Sequence, residues 1–298
     1  MHSNPVLKKL GYQEHDRLVI IHTDDIGMCQ ASLAAFAELA EFGLISSGAT
    51  MVPCPWFPAV AAYCRAHPQV DMGVHITLNS EWDAYRWGPV STRDPATGLL
   101  DEEGYLHRSQ SAVQQHADPG AVQAEVQAQV QRALAAGIDP THVDTHMGTV
   151  AHPKFIPAYV QLAVQFRLPI MIPRHDQAGY QALGMDAETA ALAAQFVLAL
   201  EAQGIPLLDK HVGLPLDQPT ERIQQAKAAL SDLSPGLTHF IIHPSIDTPE
   251  LRAITPDWPS RVADYHAFKS EELRQFVKES GIHVIGYRLL RDLMRQAA

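Results

Sequence analysis

The chain is poor in cysteine. Its 298 residues hold three, Cys29, Cys54 and Cys64, an odd number with no Cys-x-x-Cys pair. Neither a disulfide framework nor a cysteine-held zinc site follows, and buried or idle thiols in a cytoplasmic protein are the expectation. Long apolar runs are also missing: none approaches the roughly 18 residues that a membrane span requires. Residues 1–17 are polar and lack the apolar core of a secretion signal. Clustered basic residues are absent too, with Lys8-Lys9 the only adjacent pair near the N-terminus. Lys plus Arg is 22 against 33 Asp plus Glu, a formal net charge of −11. Neutralising phosphates needs clustered Lys and Arg, so nucleic acid and anionic membrane surfaces are not expected partners.

What is present is ordinary globular material, 46% hydrophobic and 18% charged. That composition excludes disordered, collagen-like and coiled-coil chains. Short apolar runs alternate with helical segments from end to end. Strands are expected at 18–23, 47–52, 71–76, 141–144, 170–172, 205–208, 237–242 and 283–286. Their runs are near-continuous, as in strands covered on both faces. Between them, Asp118-Pro119 reads as a helix cap followed by proline at the first helical position. Val122, Val126, Val130 and Ala133 mark one face of that helix, and Gly137 stops it. Ser270 caps another, with Glu271 and Glu272 in its first turn. A third runs over 187–203 and ends at Gly204.

Strands followed by helices imply an α/β fold: one domain over 1–298, a parallel barrel of seven to eight strands, irregular or incompletely closed. Two stretches break the rhythm, 79–115 and 244–259, and long segments of that kind often serve as active-site loops.

The active site of a parallel barrel lies at the C-terminal ends of its strands. Those ends carry Asp24-Asp25, His75, the run His142-Val143-Asp144-Thr145-His146, and His243. Consecutive Asp24 and Asp25 diverge on an extended backbone, so one can face a metal and the other a substrate. Asp25 could instead cap the helix expected near Gln30. His75 follows Gly73, whose missing side chain lets something approach the strand closely. A hydrogen-bonded core histidine is the plainer account of His75.

His142, Asp144 and His146 alternate, which puts them on one face if the strand continues, and Asp144 could orient a ligand histidine. One carboxylate and two imidazoles can hold a divalent ion with positions open for water and substrate. The same set suits zinc hydrolases and non-haem Fe(II) oxygenases. Arg174 is a candidate for substrate binding or for plain surface. Trp82, Tyr85 and Trp87 could stack on sugar rings or anchor their loop. Cys29 has no neighbour that would activate it.

Thr23-Asp24-Asp25-Ile26-Gly27, Gly73-Val74-His75-Ile76-Thr77-Leu78, the loop with Pro89-Val90 and 99–105, His142-Val143-Asp144-Thr145-His146, Ile242-His243-Pro244 and 282–287 come in one order. Together they resemble the YdjC-like carbohydrate deacetylases over about residues 18–290. The resemblance implies a distorted (β/α) barrel and metal-dependent removal of N-acetyl groups from amino sugars. It also implies Asp25, His75 and His146 as metal ligands, Asp24 as base, and His243 as acid or oxyanion stabiliser. Asp144, Arg174 and Trp87 stand as supporting or substrate-facing residues.

Many family members continue His-x-His-x-His where this chain has His146-Met147-Gly148-Thr149-Val150, and the segment 170–174 lacks an earlier Arg. The expected cofactor is one divalent ion, Zn²⁺ preferred with two imidazoles and Mg²⁺ compatible with an aspartate and open water positions. The expected partner is a small carbohydrate, with homo-oligomerisation left open. The alternatives are an Fe(II) oxygenase or metal-dependent sugar isomerase on the same triad, or a non-catalytic sugar-binding protein.

Overall fold

A computed structural model describes residues 2–296. Its centre is β1, Arg17–Ile26, in which Leu18, Ile20, His22 and Asp24 alternate with Val19, Ile21 and Thr23. β1 is flanked in parallel by β2, Ser47–Thr50, and by β6, Gly236–Ile242. Beyond β2 lie β3, Met72–Ile76, and β4, Val143–Thr145; beyond β6 lies β5, Lys210–Gly213. The order across the sheet is β4-β3-β2-β1-β6-β5. β7, Ile282–Val284, pairs with Arg17–Val19, sharing with β2 the edge of β1 that β6 leaves free.

The two expected strands at 170–172 and 205–208 do not form ladders. They survive as single parallel bridges, Val143 with Ile170 and Pro173 with Leu208. Pro169, Pro173 and Pro206 interrupt these segments, and proline has no N–H to donate to a ladder. Two further bonds carry the ring onward, from Arg174 N to Leu208 O (2.7 Å) and from Asp209 N to Leu237 O (2.8 Å). The barrel is therefore parallel throughout its ladders and irregular where prolines interrupt it.

Two apolar layers hold it. Outward-facing Val19, Ile21, Val74, Phe240 and Ile242 pack in a large core that includes Val60 and Phe36 of the surrounding helices. Inward-facing Leu18, Ile20 and Leu237 join Val6, Leu7, Tyr287 and Leu290, so the terminal helices Pro5–Lys9 and Tyr287–Gln296 plug the N-terminal end of the barrel.

The helix Pro119–Ala135 begins as expected, with Asp118 Oδ1 accepting from Ala121 N at 2.9 Å. Ser270 caps Glu271–Glu279 by accepting from Leu273 N. The segment 244–259 is more ordered than expected, since it contains the helix Pro249–Ile254 and the start of Trp258–Phe268.

The candidate active site at the barrel mouth

Asp24 and Asp25 do not diverge, contrary to the extended-backbone expectation. Asp25 has φ +60°, and the register with β2 slips between Thr23 and Ile26. β1 thus spends three steps where β2 spends two. Such a bulge re-aims a side chain. Both carboxylates now reach the same imidazole: His75 Nε2 is 3.4 Å from Asp25 Oδ1 and 3.9 Å from Asp24 Oδ2. Asp25 caps no helix; Gln30–Phe42 has Cys29 at its cap position, with no side-chain bond.

Period-two alternation holds on β4. His142, Asp144 and His146 all turn into the barrel, where Asp144 Oδ1 accepts from His75 Nδ1 (2.9 Å) and Oδ2 from His22 Nε2 (2.8 Å). His146 Nδ1 lies 3.1 Å from Asp25 Oδ1, and its Nε2 lies 3.0 Å from Glu81. The close approach that Gly73 permits is that of the His142 ring, which a Cβ would meet at 2.4 Å. That ring stacks on Tyr287 at 3.8 Å between centroids.

His243 follows β6 and stands with Nε2 3.7 Å from Asp24 Oδ2. Its backbone N donates to Asp264 Oδ2 (2.9 Å). Asp264 and Arg261 project from one face of Trp258–Phe268. Arg261 Nη1 donates to Asp25 Oδ2 at 2.7 Å and its Nε to Asp257 Oδ1 at 2.7 Å.

These contacts divide the two aspartates electrically. Burial, partly offset by His75, pushes the Asp24 carboxyl up to about 7. Burial works the same way on Asp25, but Arg261 and His146 outweigh it and hold that carboxyl well below the usual range. Burial opposes the charged form of His146, yet Glu81 and Asp25 carry it up to about 9. His75 is likewise held well above the ordinary value, with Asp144 and Asp24 overcoming burial. Burial takes His243 down to about 3, so its ring is neutral at neutral pH. Asp25, His75 and His146 place one ligand atom each within 4.8 Å of one another. Asp25 Oδ1 has no hydrogen-bond partner among the described residues. This donor set therefore fits a divalent cation.

Two sequence candidates sit elsewhere. Arg174 is buried and faces Glu201 (2.8 Å) and Asp209 (3.1 Å). Asp209 in turn accepts from Leu237 N (2.7 Å), near the start of β6. Arg174 thus braces the N-terminal end of the barrel, opposite the mouth, because its acidic partners lie there. Trp87 is buried at 3% exposure, donates from Nε1 to Asn79 O (2.7 Å), and packs against Trp82 (5.4 Å). With its ring 6.5 Å from His146, it anchors the 79–115 loop beside the site and offers no open face.

Sequence reasoning missed His22, His239, Glu81 and Arg261. His22 was within reach, since it precedes Asp24 by two and must share its face. His239 stands in the same relation to Ile241 and His243. Glu81 and Arg261 carried no local signal.

The chain belongs to the YdjC-like protein family, which matches residues 18–279. A carbohydrate deacetylase of Thermus thermophilus is 32% identical over 289 residues, covering 97% of this chain and 99% of the relative. One of Thermoanaerobacter pseudethanolicus is 23% identical over 275 residues, covering 92% and 100%. A crystal structure from Enterococcus faecalis, named for cellobiose-phosphate cleavage, superposes with TM-score 0.75 at 22% identity, covering 92% and 99%. That likeness bears on the fold. Among the described residues no helix is long and apolar enough to cross a membrane.

Proposed function

We propose that this chain is a metal-dependent carbohydrate deacetylase that hydrolyses the N-acetyl group of an amino sugar or small glycan. The observation that carries the reading is Asp25 Oδ1, buried without a hydrogen bond between two imidazole nitrogens, with the differently tuned Asp24 alongside. The relatives' names supply the substrate class.

Asp25 Oδ1, His75 Nε2 and His146 Nδ1 would hold the cation, and three protein ligands leave positions open for water and substrate. When bound, a divalent ion supplies Lewis acidity toward the amide oxygen and a water of lowered pKa. The protein prepares those ligand atoms. Asp144 accepts a hydrogen bond from His75 Nδ1–H, so that Nε2, once a cation displaces its proton, is the atom that faces the site. Glu81 does the same at His146 Nε2. Arg261 keeps Asp25 ionised.

Asp24 is the base that takes the proton of the attacking water. Its burial, which favours the protonated form, lets it then return that proton to the departing amine, which cannot leave as an anion. The neutral ring of His243 suits a hydrogen-bond donor to the oxyanion rather than a proton donor. Two imidazoles favour Zn²⁺ over Mg²⁺ as the ion.

The test is acetate release from a panel of N-acetylated mono- and disaccharides, with protein reconstituted with several metals in turn. Metal-dependent release that is lost in His75→Ala is expected. Asp24→Asn should lower kcat by about 10²–10⁴ while metal stays bound. No release across the panel, with metal demonstrably bound, would count against deacetylation and return weight to oxygenase, isomerase or binding functions.

A further inference from the structure

One layer below the mouth the barrel interior is lined by side chains that the proposed reaction leaves partly unused. His22, Asp24, Asp144 and His239 are all buried, and each places one ligand atom within 4.8 Å of the others. The two carboxylates serve two levels. Asp144 gives Oδ1 to His75 above and Oδ2 to His22 below, and Asp24 turns Oδ2 toward His75 and His243 and Oδ1 toward His22 (3.3 Å).

A second observation points to an occupant. Asp24 Oδ1 and His239 Nε2 are buried with no hydrogen-bond partner among the described residues. His239 is not free to turn away, because its Nδ1 is engaged by the Tyr287 hydroxyl at 2.8 Å. Its ring also lies 4.5 Å from that of His22. Buried polar atoms are rarely left without a partner.

We infer that His22, Asp24, Asp144 and His239 form a second, interior site for a divalent cation of the zinc and cobalt type. Two carboxylates balance its charge, two imidazoles set its preference, and four protein ligands close it, as in structural rather than catalytic sites. The cation takes the place of the proton between His22 Nε2 and Asp144, with the His22 proton carried on Nδ1. It ties β1, β4 and β6 together under the mouth. This site shares Asp24 with the proposed reaction, the cation taking Oδ1 and leaving Oδ2 at the mouth as the base. It is read out without any substrate, so its failure is distinguishable from failure of the deacetylase reading.

The experiment counts metal. Chelator-stripped full-length protein is titrated with Zn²⁺ alone by calorimetry, and the ions retained after gel filtration are measured by mass spectrometry. Two equivalents are expected for wild type, one for His146→Ala, one for His239→Asn, and none for the double variant. A single equivalent in wild type that disappears in His146→Ala overturns the inference. So does a second equivalent that persists in His239→Asn, because it then lies elsewhere. Should His239→Asn lose its cooperative melt, anomalous diffraction at the zinc edge from zinc-soaked wild-type crystals decides directly. Density between His22 and His239 supports the site, and density at the mouth alone refutes it.

Discussion

Arg261 sets the charge balance at Asp25, and Arg261→Met tests it. Methionine keeps much of the aliphatic stem beneath the guanidinium, which lies 5.8 Å over the Trp82 ring, and removes the charge. Three bonds are lost, one to Asp25 and two to Asp257. Asp257 retains 21% side-chain exposure and can rehydrate, whereas Asp25 retains 2% and cannot. The loss therefore falls on Asp25, which keeps only the His146 and His75 imidazoles beside it, and removing one partner of a buried pair costs about 3–5 kcal/mol.

The measurement is urea unfolding of metal-free protein at pH 7 and near pH 4. In wild type the depressed Asp25 carboxyl contributes stability above its unfolded value of about 4, and that contribution fades as pH falls toward the folded value. In the variant the carboxyl loses the largest of the charges that lower it, so less of that stability remains to be lost in acid. The gap between the two proteins should accordingly narrow from pH 7 to pH 4. Adding Asp25→Asn to Arg261→Met should recover part of the loss at pH 7, since no carboxylate is then left without its guanidinium, while His146 and His75 keep Glu81 and Asp144 as partners. A penalty below about 1 kcal/mol, or one that ignores both pH and the second substitution, would refute the assignment.

Other outcomes follow from single contacts. Gly73→Ala drives a Cβ into the His142 ring, which is pinned against Tyr287, and should cost about 1–3 kcal/mol in chemical denaturation; a neutral result would mean the ring can retreat. Glu81→Ala frees His146 Nε2 and should weaken zinc affinity about 10–100-fold by calorimetry, with unchanged affinity disproving its orienting role. Asp118→Ala removes the cap of Pro119–Ala135 and should lower stability by about 1 kcal/mol with no change in zinc affinity.

The parts of this molecule that were readable in its sequence are the short apolar runs and the residues placed by period two. The triple alternation at His142, Asp144 and His146 carried all three into the barrel, and the apolar runs located β1, β3 and β6 closely. What could not be read depends on geometry that alternation does not encode. The bulge at Asp25 reverses the expected divergence of the aspartate pair. Arg261 meets Asp25 only because the chain returns 236 residues later. The strands expected at 170–172 and 205–208 failed for a reason visible in hindsight, since each contains or abuts a proline. Arg174 misled because the end of an apolar run was taken for the catalytic end of a strand, when no ladder forms there.

The left-handed turn at Asp25 also sets which residues position 25 can hold. Only glycine, asparagine and aspartate visit that backbone region readily; other side chains strain it by roughly 1–2 kcal/mol. A glutamate there would preserve charge and pay conformationally, and an asparagine would fit the backbone while surrendering the ionised carboxylate and the partner of Arg261. Chemistry and chain geometry thus select the same amino acid independently. Repairing the site in a variant that has lost Asp25 by moving a carboxylate to a neighbouring position would require rebuilding the bulge as well.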